Sequence, residues 1–520
     1  MRRLTLVLLA ATLAGPATGQ TLGIATGGSI TSLDPHFFNA SPNNAIAQHV
    51  FGRLVDRDAQ SRIRPDLAES WRLISDTEWE FTLRRDVTWH DGRPFTADDV
   101  LFTLARAPAV PNSPGGFGAV LRSVKSASAP GPHTLRITTH EPNPVLLAEL
   151  GSVFVVSRHA GEGASTEDYN AGRAAIGTGP YRVVSHRQGD RTELARNDAY
   201  AGPREPWARV SYRFVAADPA RSAALLAGDV DMIDQVAPND LPRLRRDPRV
   251  TVAEIQSLRL VHVGPDYSRT GALPFVTDNE GRPLPRNPFL DVRVRRALTV
   301  AINRDLLAER AMDGLAAPSG QWLPAGTYSH DPRTPPPAFD PEAARRLLAE
   351  AGFPNGFRMT LHTMNDRFPN DARLAQAIAQ MWSRVGVQTA VEALPWTTYS
   401  ARAARQDFSM SMGSWGSTTG EGLSFPKNVL ATFDRERRTG SANSRRHSAP
   451  ELDAMIARAS VLMDDAAREE AIRELVRWAA ENVPMIPVLH LNNVWALRRG
   501  LAYEPRMDER TLAMGVREAR

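Results

Sequence analysis

Apolar residues recur along this chain with two alternating periods, and the switches between them predict its elements. Trp79, Phe81 and Leu83 alternate with Glu80, Thr82 and Arg84, the period-2 pattern of a half-buried strand, and Val87 and Trp89 resume it after Arg85 and Asp86. Asp91 and Gly92 turn the chain. Thr96 is placed to cap a helix, with Asp99 completing a capping box ahead of Val100, Leu101 and Leu104. Residues 181–185 and 192–196 flank Gln188, Gly189 and Asp190 as a hairpin. Residues 221–227 read as a helix ended by Gly228, followed by strands at 230–233 and 258–263 and a Pro-rich loop over 274–288.

The pattern is plainest toward the C-terminus. Asp340 caps a helix with Pro341 at its first position, Ala344, Leu347, Leu348 and Ala351 form one apolar face, and Gly352 ends it. A strand at 358–362, a helix at 371–385 with Leu374, Ile378, Met381 and Val385 on one face, and a strand at 387–394 make a βαβ unit, whose strands are expected to be parallel. A further strand is expected at 408–412.

Composition changes this picture at the N-terminus first. Arg2 and Arg3, the apolar run 4–14 and the small residues Ala17, Thr18 and Gly19 have the order of a secretory signal, too short to span a bilayer. The 520 residues include no cysteine, which excludes disulfides, thiolate metal sites, Cys nucleophiles and a lipid-bearing N-terminal Cys. The expected location is therefore the periplasm, without a lipid anchor. Net charge is +4, and Lys125 and Lys427 are the only lysines, so a high isoelectric point accompanies a small charge in which acids and arginines are interspersed. That is no nucleic-acid footprint. The densest basic group, Arg435, Arg437, Arg438, Arg445 and Arg446, reads as a solvated loop.

Five ordered blocks carry a family resemblance: 64–106 (RPDLAESW through DDVLFTLAR), 177–184 (GTGPYRVV), 195–202 (ARNDAYAG), 290–307 (LDVRVRRALTVAINRDLL) and 339–357 (FDPEAARRLLAEAGFPNGF). The chain resembles the family 5 bacterial extracellular solute-binding proteins, the peptide and nickel receptors of ATP-binding-cassette importers. The resemblance implies an α/β, two-lobed periplasmic-binding-protein-like fold (class II, cluster C) with a subdomain inserted in lobe I. After the signal at 1–19, lobe I would comprise 20–50, 169–262 and 486–520, the inserted subdomain 51–168, and lobe II 263–485. It further implies a monomer that captures a peptide-like or other small polar solute by lobe closure and delivers it to inner-membrane permease subunits, without cofactor, metal or catalysis. A modified peptide, an opine-like conjugate or a metal chelate is the alternative ligand, an exported hydrolase on the same scaffold the alternative class, and a sensory protein docking on a receptor a third.

Ligands of open α/β sheets bind beyond the carboxyl ends of the strands. In lobe II those ends are the segment with Asn365 and Arg367, the segment with Trp396, and the segment 413–421 with Trp415, Gly416, Ser417, Thr418 and Glu421. Together they offer an Arg for a carboxylate, aromatic faces, and amide or hydroxyl donors. The family's peptide receptors have a Gly-Trp pair there and then an Asp that grips the ligand's ammonium; here Ser414 precedes Trp415, and Thr418 stands at the Asp position, with Glu421 the nearest carboxylate. The resemblance thus implies ligands that are anionic, neutral or N-substituted. It also maps Asn39, Ala40 and Ser41 against the ligand and His490 near the cleft, where a structural role is equally open. HExxH, GxSxG and Walker A motifs are absent, and the twelve histidines show no ligand spacing.

The mature protein is expected to begin near Gln20 and to be released by osmotic shock without lipid. An intact mass that retains Met1, or membrane association that survives high salt, is the contrary result.

Overall fold

The computed structural model describes residues 20–417 and 420–519, so the signal segment expected over 1–19 and the candidate Thr418 lie outside the described residues. Twelve strands of the described residues join in one mixed sheet. Its spine is an antiparallel pair, Val250–Pro265 and Ile486–Arg498, which runs from Val250 opposite Arg498 to Val263 opposite Ile486. On the lobe I side the sheet continues through Met232–Ile233, Thr21–Thr26, Arg209–Phe214, Arg191–Arg196 and Tyr181–Arg187. On the lobe II side it continues through Met410–Gly416 and Phe357–Met364, with Val276–Thr277 and Val387–Leu394 beyond. A separate four-stranded sheet, Ala68–Ser75, Glu78–Leu83, Thr134–Thr139 and Val124–Gly131, belongs to the segment after residue 50.

The clearest sequence signals have their elements. Helix Pro341–Glu350 starts where Asp340 accepts the Ala343 N–H at 2.8 Å, and Gly352 lies in the left-handed region. Phe357–Met364 and Val387–Leu394 are parallel, joined by helix Asp371–Arg384. The hairpin around Gly189 is present. Helix Ala97–Arg106 has its capping box, and the Asp99 carboxylate also accepts the Trp89 indole N–H at 3.3 Å and the Arg158 N–H at 2.8 Å.

Four expectations are corrected. Val87 and Trp89 do not extend the strand: they are buried beside a tight turn in which the Trp89 N–H reaches the Arg93 carbonyl at 2.8 Å, and Gly92 supplies the positive φ. The strand expected at 258–263 spans Val250–Pro265, because its N-terminal half pairs with the return strand despite mixed polarity. The strand expected at 408–412 is Met410–Gly416, so Trp415 and Gly416 are ladder residues and not loop residues. Arg445 leaves the solvated group: its guanidinium donates to the carbonyls of Gly264 and Ser411, at 3.0 and 2.9 Å.

Distinct cores underlie the regions. One gathers Leu22, Ile24, Tyr181, Tyr212 and Trp495; another Phe81, Trp89, Phe95, Phe117 and Ile137; a third Val261, Phe289, Leu361, Ile378 and Trp382. Polar ties join the first two. Arg106 grips the Asp34 carboxylate with two nitrogens, at 2.9 and 2.7 Å, and the Thr166 hydroxyl adds a third bond at 2.8 Å. Burial would raise this carboxyl, but the bonds and charge of Arg106 hold it below the usual range.

His90 makes the second tie. Its Nδ1 accepts the Gly177 N–H at 3.1 Å and its Nε2 donates to the Gly179 carbonyl at 3.1 Å, which fixes a neutral ring; burial lowers its pKa to about 4. Gly177 lies so close to helix Ser41–Val50 that a Cβ there would sit 1.7 Å from the Val50 carbonyl oxygen. Gly177→Ala is expected to destabilise by about 3 kcal/mol or more, because only backbone movement relieves the overlap. A urea midpoint equal to wild type would contradict this packing.

Candidate functional site

The spine pair carries the site. Pairing along it shifts register between Gln256 and Leu260, and Arg259 emerges at the end of that irregularity. Gly416, opposite Arg259 on the neighbouring strand, leaves room for the guanidinium: a Cβ there would lie 3.2 Å from Nη2. Arg259 then reaches the C-terminal tail, with Nε 3.1 Å from Glu509 Oε1 and Nη2 3.3 Å from Oε2. This ion pair borders a cavity of about 280 Å³ between the lobes, lined also by Ser41, Asp234, Gln235 and Arg367.

Arg367 enters from lobe II. Asp371 anchors its backbone N–H at 3.0 Å, and its guanidinium lies over the Trp396 ring, 4.9 Å from the centroid. Among the described residues that guanidinium makes no ion pair. Partial burial, then the Arg259 charge, push its pKa down, while Glu509 and Asp366 oppose them. Trp396, expected in a loop, is the first residue of helix Trp396–Ala404, and its N–H donates to Asp366 Oδ1 at 2.8 Å. Asn365 is exposed beside them, bonded through its N–H to the Leu394 carbonyl at 3.0 Å.

From lobe I come Ser41, Asp234 and Gln235. Ser41 opens helix Ser41–Val50 after Ala40, while Asn39 faces inward and accepts from the Asn44 amide at 2.8 Å. Asp234 follows strand Met232–Ile233 directly and is 7% exposed. Its oxygens accept the Gly27 N–H at 2.8 Å and the Thr511 hydroxyl at 3.2 Å, and burial raises its pKa to about 6. Sequence reading missed Asp234, Gln235, Arg259 and Glu509. The strand-end rule would have found Asp234 had it been applied to lobe I as well as lobe II.

Trp415, Glu421 and His490 are placed differently. Trp415, Leu260 and His490 face one another across three strands, and Leu260 precedes no gap in alternation with Arg259, so their side chains point away from the Arg259 face. The Trp415 indole meets Phe425 edge-on at 6.4 Å, and its Nε1, like the hydroxyls of Ser414 and Ser417, is buried without a protein partner. Glu421 is ion-paired with buried Arg468 and accepts the Leu423 N–H at 2.8 Å. His490 is buried, bonds the Gln321 carbonyl at 3.2 Å, and is neutral because burial lowers its pKa to about 4. Gly416 itself belongs to the Arg259 face.

Two other features are structural. A cavity of about 420 Å³ between lobe I and the inserted segment is bordered by arginines engaged with acids: Arg64 by Asp56, Arg84 by Asp86, Arg506 by Asp508, Arg517 by Glu205. Ser157, His159 and Asp91 form a hydrogen-bonded chain with both links at 2.7 Å, yet the Ser157 hydroxyl is buried and caps helix Arg158–Gly161. It is a cap, not an exposed nucleophile.

Residues 62–436 match the family model described as bacterial extracellular solute-binding proteins, family 5 middle. Heme-binding protein A of Haemophilus influenzae is 28% identical over 480 residues, covering 86% of this chain and 82% of that protein. The periplasmic oligopeptide-binding protein OppA of Salmonella typhimurium is 25% identical over 511 residues, covering 92% of this chain and 88% of that protein. The structure of HbpA2 from Haemophilus parasuis superposes with a TM-score of 0.84 at 23% identity, over 96% of this chain and all of that one. Among the described residues no helix is long and apolar enough to cross a membrane. With its mixed α/β architecture, its interlobe cleft and a family match over most of its length, the chain belongs to the family 5 bacterial extracellular solute-binding proteins, the non-catalytic substrate-binding components of ATP-binding-cassette importers.

Proposed function

We propose that the mature chain is a lipid-free periplasmic monomer that captures a small peptide-like or other polar solute in the interlobe cavity and presents it to an inner-membrane permease. Lobe I is taken as 20–50, 169–262 and 486–520, the inserted subdomain as 51–168 and lobe II as 263–485; three cores support three regions, with Val261, Ile486 and Leu491 packing into the lobe II core and Phe154 and Val156 into that of lobe I. Capture follows from geometry, because a ligand that touches both walls favours the closed arrangement by its differential affinity.

The observation that carries this reading is the Arg367 guanidinium, which borders the cavity without a carboxylate of its own. It is the carboxylate partner of the ligand, with Trp396 stacking behind it and Asn365 at the rim. Ser41 faces it from lobe I, with Asn39 and Ala40 setting the start of that helix. Gly416, on the Arg259 face, leaves space for the ligand's body, and Trp415 and Ser417 back that wall from the opposite face, with Thr418 next in sequence. Glu421 and His490 support this wall from behind; drawing Glu421 out would break a buried ion pair at a cost of about 3–5 kcal/mol.

Native mass spectrometry of the extracted protein identifies the solute, and calorimetry with Arg367→Ala tests the assignment. The expected loss is about 10- to 100-fold for a carboxylate-bearing solute and none for its amidated form, the range of a charge-assisted hydrogen bond. Binding should also shrink the radius of gyration. Unchanged affinity in the variant would remove Arg367 from the site, and unchanged scattering on saturation of an open apo protein would remove closure.

A further inference from the structure

We propose that Asp234 is the ammonium-binding residue of the cleft, so that a ligand's amine is received by the lobe I wall. This rests on the reading of the interlobe cavity as the solute site. It reverses the expectation drawn from Thr418, which assumed that the amine's counter-charge had to come from the lobe II loop.

The cavity walls have opposite polarity. Lobe I contributes Asp234 and Glu509; lobe II contributes Arg367, with Arg259 already held by Glu509 between them. Such walls fit a dipolar solute whose carboxylate meets Arg367 and whose cation meets lobe I. Asp234 is the acid without an ion-pair partner among the described residues. It is nine-tenths buried and accepts one neutral hydrogen bond at each oxygen. The Arg221 charge acts on Asp234 from a distance and opposes the effect of burial, but its nitrogens bond Asp218 and the carbonyls of Val215, Ala216 and Gln235, and Arg510 is held by Gln48 with Asp508 3.9 Å away. A buried carboxylate with no cation in direct contact is costly, and proteins keep that arrangement where a charged ligand completes it.

Shape narrows the ligand group. Asp234 also lines a side pocket of about 30 Å³ that shares Ser41, Gln235 and Glu509 with the main cavity. That volume admits one group the size of a water molecule, hence a primary ammonium and not a trimethylated one. A further acceptor lies on the main cavity, where Asn492 Oδ1 is buried without a protein donor. Backbone conformation singles out the same wall: Gln235 and Glu509, neither a glycine, have φ of 47° and 64°. Residues held in this region concentrate where function requires the strain.

The test is calorimetry of full-length mature wild type, Asp234→Asn and Arg367→Ala against three mixed-sequence tripeptide libraries: unblocked, N-acetylated and N-trimethylated. Asparagine keeps the acceptor for the Gly27 N–H and removes the charge, and the apo variant is expected to melt above wild type because a buried unpaired charge is gone. The wild type is expected to bind the unblocked library about 10- to 100-fold more tightly than the other two. In Asp234→Asn that preference collapses while affinity for the N-acetylated library is unchanged; in Arg367→Ala all three weaken. Unblocked preference surviving in Asp234→Asn, or wild type preferring the blocked libraries, overturns the proposal while leaving the cavity as the solute site. An apo variant that melts below wild type overturns the unpaired charge. Absence of binding to all three libraries overturns the proposal, and if Arg367→Ala also leaves affinity for the co-purified solute unchanged, the cavity assignment fails with it.

Discussion

Everything functional in this molecule depends on the antiparallel pairing of Val250–Pro265 with Ile486–Arg498. Backbone ladders normally extend one sheet within one domain, but here a single pair runs through both lobes and fixes where they meet. The register shift between Gln256 and Leu260 interrupts the ladder at that crossing. An irregularity of this kind re-aims side chains, and here it is the point where Arg259 enters the cleft.

Polar groups that anchor the scaffold are settled in one protonation state. His36, His49, His90 and His490 are buried, and burial lowers each to about 4, so they act as neutral hydrogen-bonding groups at physiological pH. The Asp34–Arg106 tie has the same sign of linkage, because its folded pKa is lowered as well. With its folded pKa below the unfolded value, its contribution is complete above the unfolded pKa and is lost as pH falls through the folded one. Asp234 departs from this pattern, since burial raises its pKa to about 6. The scaffold groups and Asp234 thus respond to pH with opposite sign.

Local physics made much of the fold legible and little of the cleft. Helix Pro341–Glu350 could be read because its cap, its proline and its apolar face all lie within one stretch of sequence. The parallel pair around helix Asp371–Arg384 followed from chain connectivity alone. Trp415 was misplaced because Ser411 to Gly416 has no sustained alternation of branched and polar residues, and what makes it a strand is its partner Val250–Pro265. Glu421 looked free because Arg468, which neutralises it, is 47 residues away. Asp234 could be placed by its position at a strand end, but not its environment: the partners that define it, Gly27 and Thr511, stand 207 and 277 residues distant. A side chain's charge state in a cleft is a property of tertiary neighbours, which no window of sequence contains.

The Arg259–Glu509 contact carries an implication for the order of assembly. Glu509 lies 250 residues beyond Arg259, and Thr511 beside it, 277 residues from Asp234, completes the shell around that carboxylate. Helices and hairpins close far shorter loops and can accumulate structure first. Completion of the cleft's polar lining is therefore expected to follow, rather than lead, the formation of the cores around it.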